Sequence, residues 1–515
     1  MNGAEALMQT LCDGGVEVCF ANPGTSEMQL VAAIDKQKNM RAILGLFEGV
    51  VTGAADGYGR MKDNPAVTLL HLGPGLANGL ANLHNAKRAR TPLINVVGDH
   101  AVEHLKYNAP LTSDIVGVAS PMSDWVRTSI SPSDLASAGA EAIAQSQTYP
   151  GKICTVIAPG DHAWGKNASV AAQLKIEIPP TLSDKEIQEA AEKLLAAEKP
   201  ALFLGGRALR KQALHHAGRI SSLLNARIIC ETLPARIQRG EGSVPIERLP
   251  YFAESAVEFL KELTQITFVG APPPVAFFAY PDKPGWLSPP NAQLLELASP
   301  YVNAEDTLER LADAMEAPSK PTNIQAKKIF EYEKGKLDRE SAAIITANLL
   351  PEHAIVSDES GTSGGSFFRY TASSSFHDWL IITGGSIGQG LPVAVGAAVA
   401  YPDRKVVSLQ ADGSGMYTLQ ALWTMARENL DVVVIIMKNN SYGILNIELQ
   451  RVGVKNPGEK ALSLLDLSNP ILDWVALAEG MGVRAKSAST TDEFSSYLSE
   501  ALSSKGPTLI EIMLP

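Results

Sequence analysis

The 515-residue chain carries 44 Lys and Arg against 55 Asp and Glu, a formal net charge of −11. That balance, with no cluster of basic residues, excludes an electrostatic nucleic-acid surface. Hydrophobic residues make up 45% and charged residues 19%, as in a large, well-buried globular protein; at roughly 150 residues per domain, about three domains are expected.

Leu7, Met8 and Leu11 sit at helical spacing, and Gly14-Gly15 ends that first helix. The segment has no basic start, so no targeting leader is expected. No apolar run reaches the ~18 residues of a membrane span, and a soluble, cytoplasmic protein is the expectation. Cys12, Cys19, Cys154 and Cys230 form no Cys-x-x-Cys pair and no metal spacing. Buried free thiols in a reducing compartment are expected.

Short apolar runs at residues 16–20, 66–70, 93–97 and 153–157 read as strands, each flanked by Gly, Pro, Asn or Asp. Continuous apolar strands between helical patterns point to parallel sheets covered on both faces. Charged, helix-forming residues 183–198 lead to a strand at 201–204 and then Gly205-Gly206. Residues 317–323, with Pro318 and Pro321, read as a linker. The expected fold class is α/β in three domains, each a mostly parallel sheet flanked by helices, over residues 1–165, 183–316 and 324–515. Residues 384–390 (GGSIGQG) form a loop before an apolar helix at 391–401. Their spacing is not the Gly-x-Gly-x-x-Gly of a dinucleotide fold, and no Walker-type loop is present.

The stretch Ala411-Asp412-Gly413-Ser414 follows one apolar strand, and Asn439-Asn440-Ser441 follows another, 27 residues on. Two strand ends can thus offer an Asp, an Asn and the Ser441 carbonyl side by side. Such a set suits Mg²⁺, which takes few protein ligands and prefers to add phosphate oxygens. Gly413 lets the backbone approach a diphosphate, and the next helix offers free N–H groups. The plainer alternative is two strand-ending turns, since Asp-Gly and Asn-Asn are common turn pairs. Glu48 stands alone between apolar residues. Burying an ionised carboxylate there is costly, unless the residue starts a helix and gains from its dipole.

These features resemble the metal–diphosphate signature of thiamine-diphosphate enzymes, with Ala411 in place of the usual first Gly. The chain as a whole resembles the family of acetolactate synthase, pyruvate oxidase and benzoylformate decarboxylase. Ala21-Asn22-Pro23-Gly24-Thr25 is similar to that family's first active-site loop. His71-Leu72-Gly73-Pro74-Gly75 is similar to its Ser-Gly-Pro-Gly loop, with His71 in place of a small hydroxyl residue, as in benzoylformate decarboxylases. Glu359-Ser360-Gly361-Thr362 looks like the start of the diphosphate cradle.

The resemblance implies a Glu48 carboxyl on the aminopyrimidine ring, promoting loss of the thiazolium C2 proton, and a catalytic role for His71. It implies cofactor contacts from Asn22, Pro23, Gly24, Gly73, Ser360, Thr362, Gly385, Ile387, Gly413, Ser414, Tyr442, Gly443 and Ile444. Gly385 would offer its carbonyl and Ile387 would wedge the cofactor into a bent form. Metal ligands would be Asp412, Asn439 and Ser441. The implied partners are a small 2-oxo acid and further copies of the chain, as a homodimer or dimer of dimers with sites between subunits; neither nucleic acid nor membrane is implied.

The implied activity is decarboxylation of a 2-oxo acid followed by carboligation, as in acetolactate synthases. Two alternatives are simple decarboxylation of the benzoylformate type and a catalytically silent homologue. Three departures bear on the second substrate. The Gly-Ala-Arg of acetolactate synthases reads Gly270-Ala271-Pro272, and Pro110 and Leu111 replace an expected Phe and Gln. The flavin segment is missing at Arg239-Gly240-Glu241-Gly242-Ser243, so FAD is not expected.

Overall fold

Three mostly parallel sheets organise the chain in the computed structural model, which describes residues 1–514. The first has six strands, ordered Arg41–Leu44, Val18–Asn22, Ala66–Leu70, Leu93–Asp99, Ile153–Pro159, Trp125–Thr128. The second has five, ordered Glu247–Arg248, Arg227–Cys230, Pro200–Leu204, Gln265–Val269, Gln293–Ala298. The third has seven: Arg484–Ala488, Thr508–Met513, Val432–Lys438, Val406–Ala411, Ile355–Glu359, His377–Ile381 and Arg236–Arg239. Helices cover the faces, as all-parallel strands require.

The first strand starts two residues later than its apolar run. Gly15 turns the chain at φ +83°, and the Val16 N–H closes the preceding helix by donating to the Leu11 carbonyl at 3.0 Å. Val16 is therefore spent on a helix end. The strand Arg236–Arg239 is less expected: it leaves the middle of the chain and pairs antiparallel with His377–Ile381 in the third sheet. Its Arg236 Nε donates to Asp378 Oδ1 at 2.6 Å, so a buried ion pair locks the crossing.

The apolar run before Tyr401 forms the helix Gly390–Ala400, buried along its whole length. A helix apolar all round belongs inside. It lies against the helix Glu48–Lys62, and the contact is backbone to backbone. A Cβ on Gly396 would fall 1.9 Å from the Ala54 carbonyl oxygen, and one on Gly57 would fall 2.2 Å from that of Val393. Only glycine fits at either point. This junction fixes the first sheet's helices against the third. No helix among the described residues is long and apolar enough to cross a membrane.

Candidate active site

In open parallel sheets, ligands bind beyond the carboxyl ends of the strands where the strand order reverses. In the first sheet that point falls between Val18–Asn22 and Ala66–Leu70. The loops leaving these strands are Asn22-Pro23-Gly24 and His71-Leu72-Gly73. In the third sheet it falls between Ile355–Glu359 and Val406–Ala411, whose ends carry Ser360 to Thr362 and Asp412-Gly413-Ser414.

At the first point Glu48 and His71 sit close together. Glu48 is the first residue of its helix and only 8% exposed, so the carboxylate is both buried and at a helix start. Asn78 Nδ2 donates to Glu48 Oε2 at 3.0 Å. A Cβ on Gly75 would lie 3.2 Å from Glu48 Oε1 and 3.3 Å from His71 Cβ. The His71 Nδ1 stands 2.8 Å from Glu27 Oε2 and 3.2 Å from Ser26 Oγ. Glu27 is fully buried and also accepts from the Gly24 N–H and the Ser26 hydroxyl. Gly24 itself is pressed against the imidazole, where a Cβ would fall 2.3 Å from Nδ1. Gly73 lies under Ser113, which packs the 110–118 segment over this loop.

Ser26 and Glu27 are not among the residues singled out from sequence. Their signal was available: Glu27 follows Gly24 by three positions, the spacing at which a carboxylate reaches back to cap a turn.

At the second point the parallel pairing of Val406–Ala411 with Val432–Lys438 brings Asp412 and Asn439 together. Asp412 Oδ2 accepts the N–H groups of Asn439 and Asn440 at 3.1 and 2.7 Å, and Oδ1 accepts that of Gly413. Burial pushes the Asp412 carboxyl above its ordinary value, against these three hydrogen bonds. Asn439 Oδ1 accepts the Ser441 N–H at 3.0 Å. Thr362 and Tyr442 close the group: a Cβ on Gly443 would lie 3.2 Å from Thr362 Oγ1, and one on Gly413 would lie 2.7 Å from the Tyr442 ring. Ile444 follows in the helix Gly443–Arg451. Gln410 Nε2 donates to Ser414 Oγ at 2.6 Å. The Ser360 hydroxyl turns inward to Asp358 and is buried.

The 384–390 loop is held from both sides. Glu359, fully enclosed and pushed up by that burial, accepts the N–H groups of Gly388 and Gly390 at 2.6 Å each. From the first sheet's helices, Asn82 donates to the Gly388 carbonyl at 3.2 Å and Asn85 donates to that of Ser386 at 2.7 Å. Gly385 adopts φ +74°, and Ile387 is half-buried. The second sheet offers no such cleft. At its reversal point Gly205 and Gly270 meet directly, where a Cβ on Gly270 would fall 2.4 Å from the Gly205 oxygen.

The family description "Thiamine pyrophosphate enzyme, N-terminal TPP binding domain" matches residues 1–118, and its C-terminal TPP binding counterpart matches residues 359–512. The chain belongs to the thiamine pyrophosphate enzyme family. It is 49% identical, over 100% of its length and 99% of the relative's, to the Mycobacterium tuberculosis protein named "Putative acetolactate synthase large subunit IlvX". It is 27% identical to benzoylformate decarboxylase of Pseudomonas aeruginosa, covering 97% of this chain and 96% of the other. Among solved structures, the thiamine diphosphate-dependent 4-hydroxybenzoylformate decarboxylase of Rhodococcus jostii superposes with a TM-score of 0.88 at 26% identity, covering 100% and 99% of the two chains.

The residues of this thiamine pyrophosphate enzyme suit the cofactor. Among the described residues no cluster of three His, Cys, Asp or Glu could hold a metal by itself. Asp412, Asn439 and the Ser441 carbonyl would instead supply hard oxygen donors of the kind Mg²⁺ completes with phosphate oxygens. Gly413 and Gly443 leave bare backbone beside that set: a methyl group at Gly413 would collide with Tyr442, and one at Gly443 would crowd Thr362.

Proposed function

We propose that this enzyme decarboxylates a 2-oxo acid with thiamine diphosphate and Mg²⁺, and delivers the product largely as an aldehyde. The observation that carries the reading is the Glu27–His71 pair beside Glu48. Asp412, Asn439 and the Ser441 carbonyl would hold the metal, with Gly413, Ser414, Thr362, Tyr442, Gly443 and Ile444 around the diphosphate. Gly385 and Ile387 would meet the ring system, and Glu48 would hydrogen-bond the aminopyrimidine. When bound, the cofactor supplies the electron sink for loss of the substrate's carboxylate.

The chain's own residues supply the proton chemistry. An ionised Glu27 is an acceptor only, so it fixes the proton on His71 Nδ1 and leaves Nε2 as the exchanging nitrogen. His71 can then deliver one proton to the carbon that has lost CO₂, so that R–CO–COO⁻ and H⁺ become R–CHO and CO₂. A poorly solvated pocket favours loss of the charged carboxylate.

The Glu48 and His71 side chains hydrogen-bond only within residues 1–165 among the described residues. We infer that a second copy brings its Asp412 group to them, with a homodimer as the smallest complete unit. Leu46 and Met28 on one side, and Tyr417 and Leu445 on the other, expose apolar surface for that contact.

A second reading is acetolactate-synthase-like carboligation, supported by the 49% identity to the Mycobacterium tuberculosis protein. Incubation with a panel of 2-oxo acids, Mg²⁺ and thiamine diphosphate, with CO₂ and organic products both measured, tests the proposal. Failure to release CO₂ from any of them would reject both readings.

A further inference from the structure

The strands Ile355–Glu359 and Val406–Ala411 flank the reversal point of the third sheet, and their parallel pairing sets Glu359 opposite Gln410. Paired residues of neighbouring strands send their side chains to the same face. Both side chains are buried, Glu359 against the 384–390 loop and Gln410 against Ser414. Neither is among the cofactor contacts or metal ligands named above.

Among the described residues, every hydrogen bond at the Glu359 carboxylate comes from a donor. Oε1 accepts the Gly388 N–H at 2.6 Å, and Oε2 accepts the Gly390 N–H at 2.6 Å and Gln410 Nε2 at 3.1 Å. Such a set fits an ionised carboxylate, which accepts and cannot donate. The carboxylate also stands at the start of the helix Gly390–Ala400, whose dipole favours negative charge there.

Glu359 decides which way the Gln410 amide lies. With Nε2 toward the carboxylate, the same nitrogen gives its second hydrogen to Ser414 Oγ at 2.6 Å. The reverse orientation would set Gln410 Oε1 against Glu359 Oε2, oxygen to oxygen. The observed orientation has a visible cost. Gln410 Oε1 is buried without a partner among the described residues and lies against Gly390, where a Cβ would fall 2.4 Å from it. An unmatched buried amide oxygen is unfavourable; here the two bonds of Nε2, one to a charged acceptor, offset it. Ser414 Oγ, having accepted, keeps one hydrogen to donate. Its acceptor within the chain is the Ala411 carbonyl, three residues back, at 3.3 Å. That is long for a hydroxyl, whose bonds centre on about 2.7–2.8 Å.

We propose that Glu359 and Gln410 are positioning residues for the cofactor's diphosphate: together they orient the Ser414 hydroxyl to donate to a diphosphate oxygen in place of the Ala411 carbonyl. The inference rests on the reading that thiamine diphosphate occupies this cradle. The same carboxylate holds the N–H groups of Gly388 and Gly390, and with them the loop that carries Gly385 and Ile387. One buried charge thus sets both the diphosphate contact and the loop assigned to the ring system.

Calorimetric titration of the full-length apo protein with thiamine diphosphate at saturating Mg²⁺ tests this without turnover. Gln410→Met keeps an unbranched side chain of similar length and removes the amide donors. It should weaken binding by roughly 10-fold, the worth of a hydrogen bond involving a charged group. Ser414→Ala should weaken it by a similar factor. The double variant should lose no more than about the larger single loss, since the two residues act in series. A purely structural effect of Gln410 would persist in the Ser414→Ala background, so losses that multiply would overturn the proposal, as would unchanged affinity in Gln410→Met. Failure of the wild type to bind would overturn the underlying reading as well. A crystal structure of the wild type with cofactor and Mg²⁺ needs no variant. Ser414 Oγ is expected within hydrogen-bond distance of both Gln410 Nε2 and a diphosphate oxygen; a hydroxyl still turned to Ala411, or a Gln410 amide that has left Glu359, would refute the relay.

Discussion

Glu27 and His71 lie 44 residues apart in the chain and meet at 2.8 Å, carboxylate to Nδ1, beneath the turn that carries Gly24. The carboxylate is fully buried, and the imidazole keeps 24% exposure. One partner is thus locked and the other reaches the cleft. This is the arrangement in which a carboxylate orients a proton-transfer group through its remote nitrogen.

Glu27→Gln should therefore act through His71. Its amide can still accept one hydrogen bond but no longer compensates an imidazolium. The expected result is a drop in CO₂ release of about 10²-fold, within the range typical of general acid–base groups. Cofactor affinity by calorimetry should change little. His71→Ala should fall at least as far, and adding Glu27→Gln to it should cost little more, since the two act as one unit. Independent, multiplying losses would show that the pair is only structural.

Glu48→Gln should preserve the fold, because Asn78 can still donate to the side-chain oxygen. What it removes is the acid proton. Hydrogen–deuterium exchange at C2 of the bound cofactor should slow by roughly 10² or more. An exchange rate equal to wild type, followed by NMR, would exclude the proposed role.

Asp412 accepts three main-chain N–H groups and is pushed above its ordinary value by burial. A metal needs the ionised form. Cofactor affinity in Mg²⁺ should thus fall as pH drops through the upper carboxylate range. Asp412→Ala should abolish metal-dependent binding altogether; unchanged calorimetric affinity would refute the ligand set.

The fold class was legible because buried parallel strands are apolar without interruption, as in residues 432–437. Adjacent strand ends also made the Asp412–Asn439 proximity readable, since parallel neighbours finish on the same edge. Arg236–Arg239 was not legible. Two arginines in four residues do not look like a strand, and their burial depends on remote partners, Asp378 for Arg236 and the carbonyl and ring of Phe368 for Arg239. The inward turn of Ser360 was equally hidden, because it depends on Asp358 and on the close approach of Gly364. Glu27 was missed for another reason. An acid near a turn is ordinary in sequence, and its full burial comes from packing against Gly98 in the strand Leu93–Asp99.

Glu231, facing Arg90 and bonded by the Gly206 N–H, is pushed up to about 7 by burial. Its value in the unfolded chain is about 4.5, so the native state holds more protons between these limits. Its contribution to stability is present below about 4.5 and is lost as pH rises to about 7. Glu231→Gln should remove that slope. Tm values of wild type and variant should lie close at pH 5, diverge up to pH 7 and run parallel above it, with the variant higher. Parallel curves throughout would contradict this.

The partition between aldehyde and ligated product depends on what can hold a second 2-oxo acid. A bidentate Arg clamp supplies both energy and orientation, whereas a proline supplies neither. After Gly270-Ala271 this chain has Pro272, which is exposed. Arg451, which stacks on Phe252 and on Tyr280 of the segment beyond Pro272, is already engaged by Glu254 at 2.9 Å and Glu448 at 3.4 Å. Its guanidinium would have to abandon two carboxylates to serve an acceptor. His71, by contrast, is held ready beside Glu48. With pyruvate, condensation should be slow and acetaldehyde should be a major product. Glu254→Gln, which frees one side of Arg451, should shift the product ratio toward acetolactate if that arginine is within reach of the acceptor. Chromatographic product analysis decides the matter: rapid, near-quantitative acetolactate from the wild-type protein, without acetaldehyde, would show that the acceptor is bound without this clamp and that protonation by His71 is not the dominant route.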